Sequence, residues 1–278
     1  MRFLTIVLIT STIFLGLSSC NKFSKVMKSK DVDYKLIMAD KYFEEKEYRQ
    51  AQILYEELYP IFKGTDKFEE LYYKDAYCFY YLKNYMDAEN FFKGFLEVFP
   101  NSPKAEEVSY MHAMCFYKQI PKVDLDQTNT SKSIGVMQTF INTHPGSSRI
   151  PEATAIIDKC RELLEVKELR AADLYFKVGQ FRAAAIAYTS VLNNYPESKL
   201  GDQYKLNAIR SYYRFALLSV VDKQVERFEK VTIEYQDFAD RFPESTLLPQ
   251  AEEFSNSSLN HIKEIQTQYE QIKTTTKL

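Results

Sequence analysis

Four segments of this chain end alike: "FPNS" from Phe99, "HPGS" from His144, "YPES" from Tyr195 and "FPES" from Phe242. Counting back from Pro100, Pro145, Pro196 and Pro243 brings up the same residue types each time. Five residues before stand Phe95, Phe140, Val191 and Phe238, and eight before stand Phe92, Met137, Tyr188 and Tyr235. Twelve before stand Ala88, Ser133, Ala184 and Val231. A further copy lacks the proline but keeps Tyr48, Ala51, Tyr55 and Leu58, with Lys63 in the proline place. Spacings of three and four on one stripe mean an amphipathic helix. Proline then ends it by forcing the preceding residue out of the helical region.

A second helix lies upstream of each. "MADKYFEE", "DAYCFYYL", "HAMCFYKQ", "AADLYFKV" and "NAIRSYYR" align on Ala39, Ala76, Ala113, Ala172 and Ala208. In three copies this alanine lies 12 residues before the small residue of the following helix, but 20 in the third and 23 in the fifth. The extra residues fall around Pro121–Thr130 and Phe215–Glu226, as long connections or as helix extensions. Paired helices with this alanine, a second small residue and a closing proline resemble tetratricopeptide repeats. The resemblance implies an all-α fold, a right-handed α-solenoid of about five helix pairs over 33–246. A polar-faced helix over 247–278 is the expected cap for its open end.

The amino end carries a different signal. Met1-Arg2 gives one positive charge, and Phe3 to Leu17 is an uncharged run of 15 residues, short of the roughly 20 that span a bilayer. Small residues and Cys20 follow. A charged start, a short apolar run and small residues make a secretory signal peptide over 1–19. Leu-Ser-Ser-Cys resembles the bacterial lipobox, which implies acylation and cleavage at Cys20. Stable anchoring takes more than one acyl chain, and a lipobox product carries at least two. Residues 20–32 then form a basic tether holding Lys22, Lys25, Lys28 and Lys30. Asn21 in place of aspartate, by the same resemblance, implies the outer membrane.

With 7 Gly, 9 Pro and no Trp against 21 Tyr and 20 Phe, the body favours helices over turn-rich sheet. A net charge of −2 gives no basic footprint for nucleic acid. Cys78, Cys115 and Cys160 match no zinc spacing and read as buried thiols. The three histidines are scattered, and His144 occupies the slot held elsewhere by Phe99, Tyr195 and Phe242. No catalytic motif or phosphate-binding glycine loop is present. A non-enzymatic chain without cofactor or metal is the expectation.

What remains is a binding surface. One residue beyond the aromatic column of the first helices stand Phe43, Tyr80, Tyr117, Phe176 and Tyr212, and the second and third copies add Tyr73, Tyr77, Tyr81 and Tyr110. "LYYKDAYCFYYL" has aromatics all round its helix, more than one buried stripe uses. Tyrosine covers apolar surface while its hydroxyl stays wet, so the expectation is a groove for an extended peptide, with some of these rings taken up by the core.

Signal, lipobox, basic tether and five repeats together resemble the BamD family of outer-membrane β-barrel assembly lipoproteins. The resemblance implies a periplasm-facing, lipid-anchored protein whose amino-terminal repeats receive the carboxy-terminal signal of unfolded outer-membrane proteins. By the same resemblance Tyr73, Tyr77, Tyr80, Tyr110 and Tyr117 line that groove, and the last two repeats dock on a BamA-like barrel insertase. Two other readings stay open. One is a periplasmic repeat scaffold for cell-envelope or division enzymes, although neither a trimerising coiled coil nor a low-complexity linker is visible. The other is a glycan-binding lipoprotein, although no Trp supplies a sugar platform.

Overall fold

The computed structural model describes residues 22–276, so Cys20 and the expected signal peptide lie outside the described residues. Every regular element among the described residues is helical. A helical segment over 22–27 precedes α1 (Val32–Glu44), α2 (Tyr48–Phe62), α3 (Phe68–Tyr81), α4 (Tyr85–Val98), α5 (Ala105–Lys118) and α6 (Thr128–Thr143). Then follow α7 (Ile150–Lys177), α8 (Phe181–Asn194), α9 (Gly201–Leu217), α10 (Val221–Arg241) and α11 (Leu248–Thr276). The helices form two compact units whose boundary, Cys160/Arg161, falls inside α7.

The two alanine columns explain the pairing. Ala39, Ala76, Ala113, Ala172 and Ala208 expose no surface, and neither do Ala51, Ala88, Ser133, Ala184 and Val231 on the partner helices. Small residues at these crossings let the helix axes approach. The flanking aromatics then bury fully, as Phe92, Phe95, Phe140 and Phe238 do. Each such side chain contributes about 1.5–3 kcal/mol.

The turns inside the pairs also repeat. Lys46, Lys83 and Gly179 each stand seven residues beyond the column alanine, with φ of 63°, 62° and 78°. The next backbone N–H, of Glu47, Asn84 and Gln180, reaches back to the carbonyl of Tyr42, Phe79 and Tyr175 at 2.8, 3.0 and 2.9 Å. This is the left-handed cap that ends many helices.

The serine of each proline motif, which column reading passed over, joins the pairs. Ser102, Ser147, Ser198 and Ser245 accept the N–H of Lys104, Arg149, Leu200 and Leu247 at 3.0–3.2 Å. Three of them also donate to an acid near the start of an earlier helix. These bonds are Ser102 to Glu69 (2.7 Å), Ser147 to Glu106 (2.6 Å) and Ser245 to Asp202 (2.6 Å). A hydrogen bond of this kind contributes about 0.5–1.5 kcal/mol.

Three length changes were absorbed differently. Residues 119–127 form a connection, organised by the Gln127 amide, which donates to the carbonyls of Lys122 (2.9 Å) and Leu125 (3.1 Å). The fifth pair instead lengthens its helices. Between Pro145 and Ala172 lie 14 more residues than between Pro100 and Ala113, about four helical turns. The 28-residue α7 takes them up unbroken. Its Ala153, Ile156, Ile157 and Cys160 bury in the first unit, and its Leu164, Leu169, Ala172 and Phe176 pack in the second. Cys78, Cys115 and Cys160 are free and buried, and burial pushes their thiols up.

Replacing a helix-interior glycine by alanine ordinarily stabilises by up to about 1 kcal/mol. At Gly94 the new Cβ would meet the Tyr72 hydroxyl oxygen at 2.3 Å and its ring Cζ at 3.4 Å. Tyr72 is held by the rings of Tyr59, Phe68, Phe91, Phe95 and Phe99. Gly94→Ala therefore lowers the melting temperature, and adding Tyr72→Phe restores it; equal melting of the single variant and the parent would refute the contact.

Asp75 has no exposed surface, and neither carboxyl oxygen makes a hydrogen bond. Burial pushes its pKa up to about 8, and the Glu56 carboxylate adds to the rise. The folded chain thus holds this proton more tightly than the unfolded chain, so stability falls as pH rises from about 4 to about 8. The slope reaches about 1.4 kcal/mol per pH unit. Asp75→Asn flattens that slope in urea titrations at pH 5, 6.5 and 8, and an unchanged slope would show that Asp75 does not titrate there.

Candidate peptide-binding site

In the first unit, the first helices of successive pairs are tied by contacts that fall three residues short of the 37-residue spacing of Ala39, Ala76 and Ala113. Lys67 bonds Asp33 at 2.7 Å, Lys74 bonds Asp40 at 2.8 Å and Lys104 bonds Glu70 at 2.7 Å, each across 34 residues. Beside this polar ladder runs a string of aromatic rings. Tyr73, Tyr77 and Tyr81 sit one turn apart on α3, with ring centroids 4.9 and 5.6 Å apart. Tyr81 stacks on Tyr48 of α2 at 4.5 Å, and Tyr48 meets Phe43 of α1 edge-on at 5.7 Å.

One carboxylate fixes the string's far end. Glu107 of α5 accepts the Tyr73 hydroxyl at 3.1 Å and the Tyr77 hydroxyl at 2.7 Å. Burial, reinforced by Glu107, pushes the Tyr73 hydroxyl up to about 12 and that of Tyr77 higher still. Both therefore stay protonated donors at any physiological pH. Two cations flank the same end. The Lys104 ammonium lies 5.1 Å over the Tyr73 ring and the Arg149 guanidinium 4.8 Å over Tyr110. Arg149 also approaches Glu107 at 3.9 Å.

The five tyrosines expected to line the groove take different places. Tyr73, Tyr80 and Tyr117 are half-buried and packed against the core. Tyr77 and Tyr110, at 7% and 3% exposure, belong to the core itself, so they support the surface more than they offer it. Tyr110 meets Phe140 edge-on at 5.4 Å, and its hydroxyl makes no hydrogen bond. Tyr80 stands by Tyr85 at 5.4 Å, and burial pushes its hydroxyl up to about 12. Sequence reading missed Tyr48, Lys104, Glu107 and Arg149. The 34-residue distance from Tyr73 to Glu107 was the available signal.

Among the described residues no group of His, Cys, Asp and Glu side chains could hold a metal ion, and no helix is long and apolar enough to cross a membrane. The arrangement offers aromatic area edged by charges, which suits binding.

Comparison with known proteins gives three findings. Among solved structures, the chain resembles the TPR2AB domain of yeast Sti1 in its pHSP90 complex. That match has 12% identity and a TM-score of 0.41, covering 82% of this chain and 98% of that one. It also resembles a TPR repeats protein from Bacteroides fragilis, with 14% identity and a TM-score of 0.36, covering 89% of this chain and all of that one. No curated protein matches. The model of the YfiO family, described as outer membrane lipoprotein, matches residues 28–226, most of the chain and up to the start of α10. With its helix pairs and that match, the chain belongs to the YfiO family, the family of BamD lipoproteins, as the sequence resemblance had indicated.

Proposed function

We propose that the chain is a non-catalytic, lipid-anchored subunit of the outer-membrane β-barrel assembly machinery. Cys20 carries the acyl chains, and the body faces the periplasm. The pairs of the first unit receive the carboxy-terminal segments of unfolded barrel proteins, and the last two pairs dock on a BamA-like insertase. Membership of the outer membrane lipoprotein family is the observation that carries this reading.

The aromatic string supports the first role on physical grounds. An extended segment laid along Tyr48, Tyr81 and Tyr73 would cover ring area worth about 25 cal/mol per Å2 of apolar surface. Aromatic side chains on that segment would find edge and face partners at 4.5–7 Å. Lys104 and Arg149 stand where a terminal carboxylate would need a cation. Their charges are shared with Glu69, Glu70 and Glu107, which favours exchange over tight capture.

The decisive experiment is mild detergent extraction of outer membranes from cells carrying a tag after Leu278, followed by mass spectrometry. Near-stoichiometric recovery of the barrel insertase is expected. Recovery alone, or with cell-wall enzymes, would replace the assembly role by a general periplasmic scaffold. At the groove, Tyr81 is 46% exposed whereas Tyr77 is core. Tyr81→Ala should destabilise the fold by no more than about 1.5 kcal/mol, through its lost ring contacts, and weaken binding of an aromatic-terminated peptide about tenfold, the equivalent of 1.4 kcal/mol. Tyr77→Ala should instead destabilise the fold by about 3 kcal/mol. Undiminished peptide affinity in Tyr81→Ala would remove the string from the binding surface.

A further inference from the structure

The fifth pair departs from the repeat in a way that builds a site. From Ala208 to Val231 is 23 residues where Ala172 to Ala184 is 12, and the difference of 11 is about three helical turns. The added residues lengthen α9 and α10, leaving only Leu218, Ser219 and Val220 between them. The extension is packed. Ile262 and Ile265 of the 29-residue α11 bury against Ala216 and Phe228, and the Tyr269 hydroxyl donates to Asp222 at 2.7 Å.

A cleft of about 530 Å3 opens between the extended hairpin and α8. Its apolar walls are Phe215 and two isoleucines left in water, Ile186 at 52% and Ile233 at 60% exposure. Arg182, Arg227 and Lys230 also line it. Among the described residues neither arginine has a carboxylate within 4.0 Å. Arg227 instead lies 4.1 Å over the Phe215 ring and donates to the Ser219 hydroxyl. Lys230 pairs with Glu234, which Lys205 also occupies. The acids of the cleft offset this only partly, since Glu226 is engaged by Lys223 at 3.3 Å and Glu229 alone remains. A row of stacked arginines continues along α9, with Arg210 over Phe176 at 4.2 Å and Arg214 over Phe181 at 5.4 Å. A guanidinium stacked by its face keeps its N–H edge free for a carboxylate.

We propose that this cleft receives a short acidic segment of a protein partner. A carboxylate side chain meets Arg182 and Arg227, and a neighbouring aliphatic side chain settles between Ile186 and Ile233. Charge complementarity names the acid, and the exposed isoleucines name the rest. A free phosphate or a lipid headgroup would satisfy the cations and leave both isoleucines wet. The volume falls within the few hundred Å3 typical of specific pockets. The inference rests on the reading that the last two pairs dock a protein, and it deepens that reading by naming the chemistry of the docked segment.

The test uses the full purified chain and a fluorescein-labelled peptide, Glu-Ile-Glu-Leu-Glu, beside its Lys-Ile-Lys-Leu-Lys counterpart and phosphatidylglycerol vesicles. The acidic peptide should bind at least tenfold more tightly than the basic one, and less tightly as salt rises. Arg182→Glu, an exposed position, should abolish binding with unchanged melting temperature. Ile233→Ser should weaken it severalfold at every salt concentration. Equal binding of both peptides, retained binding in Arg182→Glu, or binding of vesicles but not peptide would overturn the proposal. Insertase recovery with the same variants separates the two readings. Recovery without acidic-peptide binding sinks the cleft alone; acidic-peptide binding without recovery sinks the assembly role alone.

Discussion

Helix axes can approach closely only where both carry small side chains at the crossing, and this chain places alanine there on every first helix. The second helices answer with Ala51, Ala88, Ser133, Ala184 and Val231, all without exposed surface. Everything else in a pair is fitted around that contact. Where the residue after the column alanine is aspartate, the facing residue is tyrosine, and the two bond: Tyr55 to Asp40 at 2.8 Å, Tyr188 to Asp173 at 2.6 Å. In the second pair the same two places hold Tyr77 and Phe92, which meet edge-on at 5.2 Å. One geometry thus accepts a hydrogen-bonded couple or an aromatic one, because volume rather than polarity is what the crossing fixes.

Between pairs the chemistry is polar. A serine that holds the turn before one helix also holds an acid near the start of an earlier one, and lysines bridge to acids 34 residues back. Asp40 shows the economy of this scheme, since it accepts Tyr55 within its own pair and Lys74 from the next. Exposed ion pairs of this kind are individually worth less than about 1 kcal/mol. Their repetition sets the register of one pair against the next, which apolar packing alone specifies poorly.

The helix pairs were legible because burial repeats at helical spacing, and most column residues found that way are buried, with Tyr48 and Tyr235 half-buried. The inserts were legible in position but open in form. Pro121 in the first and the absence of proline in the second account for the outcome, a connection in one and longer helices in the other. The binding surface was read less well. Looking down each helix found Tyr73, Tyr77 and Tyr110 but could not separate rings that line a surface from rings that support it. The equivalent of Tyr73 in the next copy is Tyr110, 37 residues on, and Glu107 stands about one helical turn before it, so looking across to that turn would have paired Tyr73 with Glu107. The long α11 carried no such signal, as its partner face exists only once the α9–α10 hairpin is extended.

The same repeat therefore yields two surfaces of opposite character. In the first unit Lys67, Lys74 and Lys104 each meet an acid of the preceding copy, so charge cancels locally and what the surface offers is tyrosine. The second unit adds arginines of another kind. Arg210, Arg214 and Arg227 lean on aromatic rings in place of acids, and the buried Lys205 draws Glu234 and Asp237 inward. Arg227 spends one N–H on Ser219 and Arg210 buries its Nε, so only the rest of each edge stays open to another molecule. A surface of neutralised charges and open rings favours apolar segments of varied sequence, whereas uncompensated guanidiniums discriminate by charge. Both surfaces are carried without altering the alanine contacts that fold the chain.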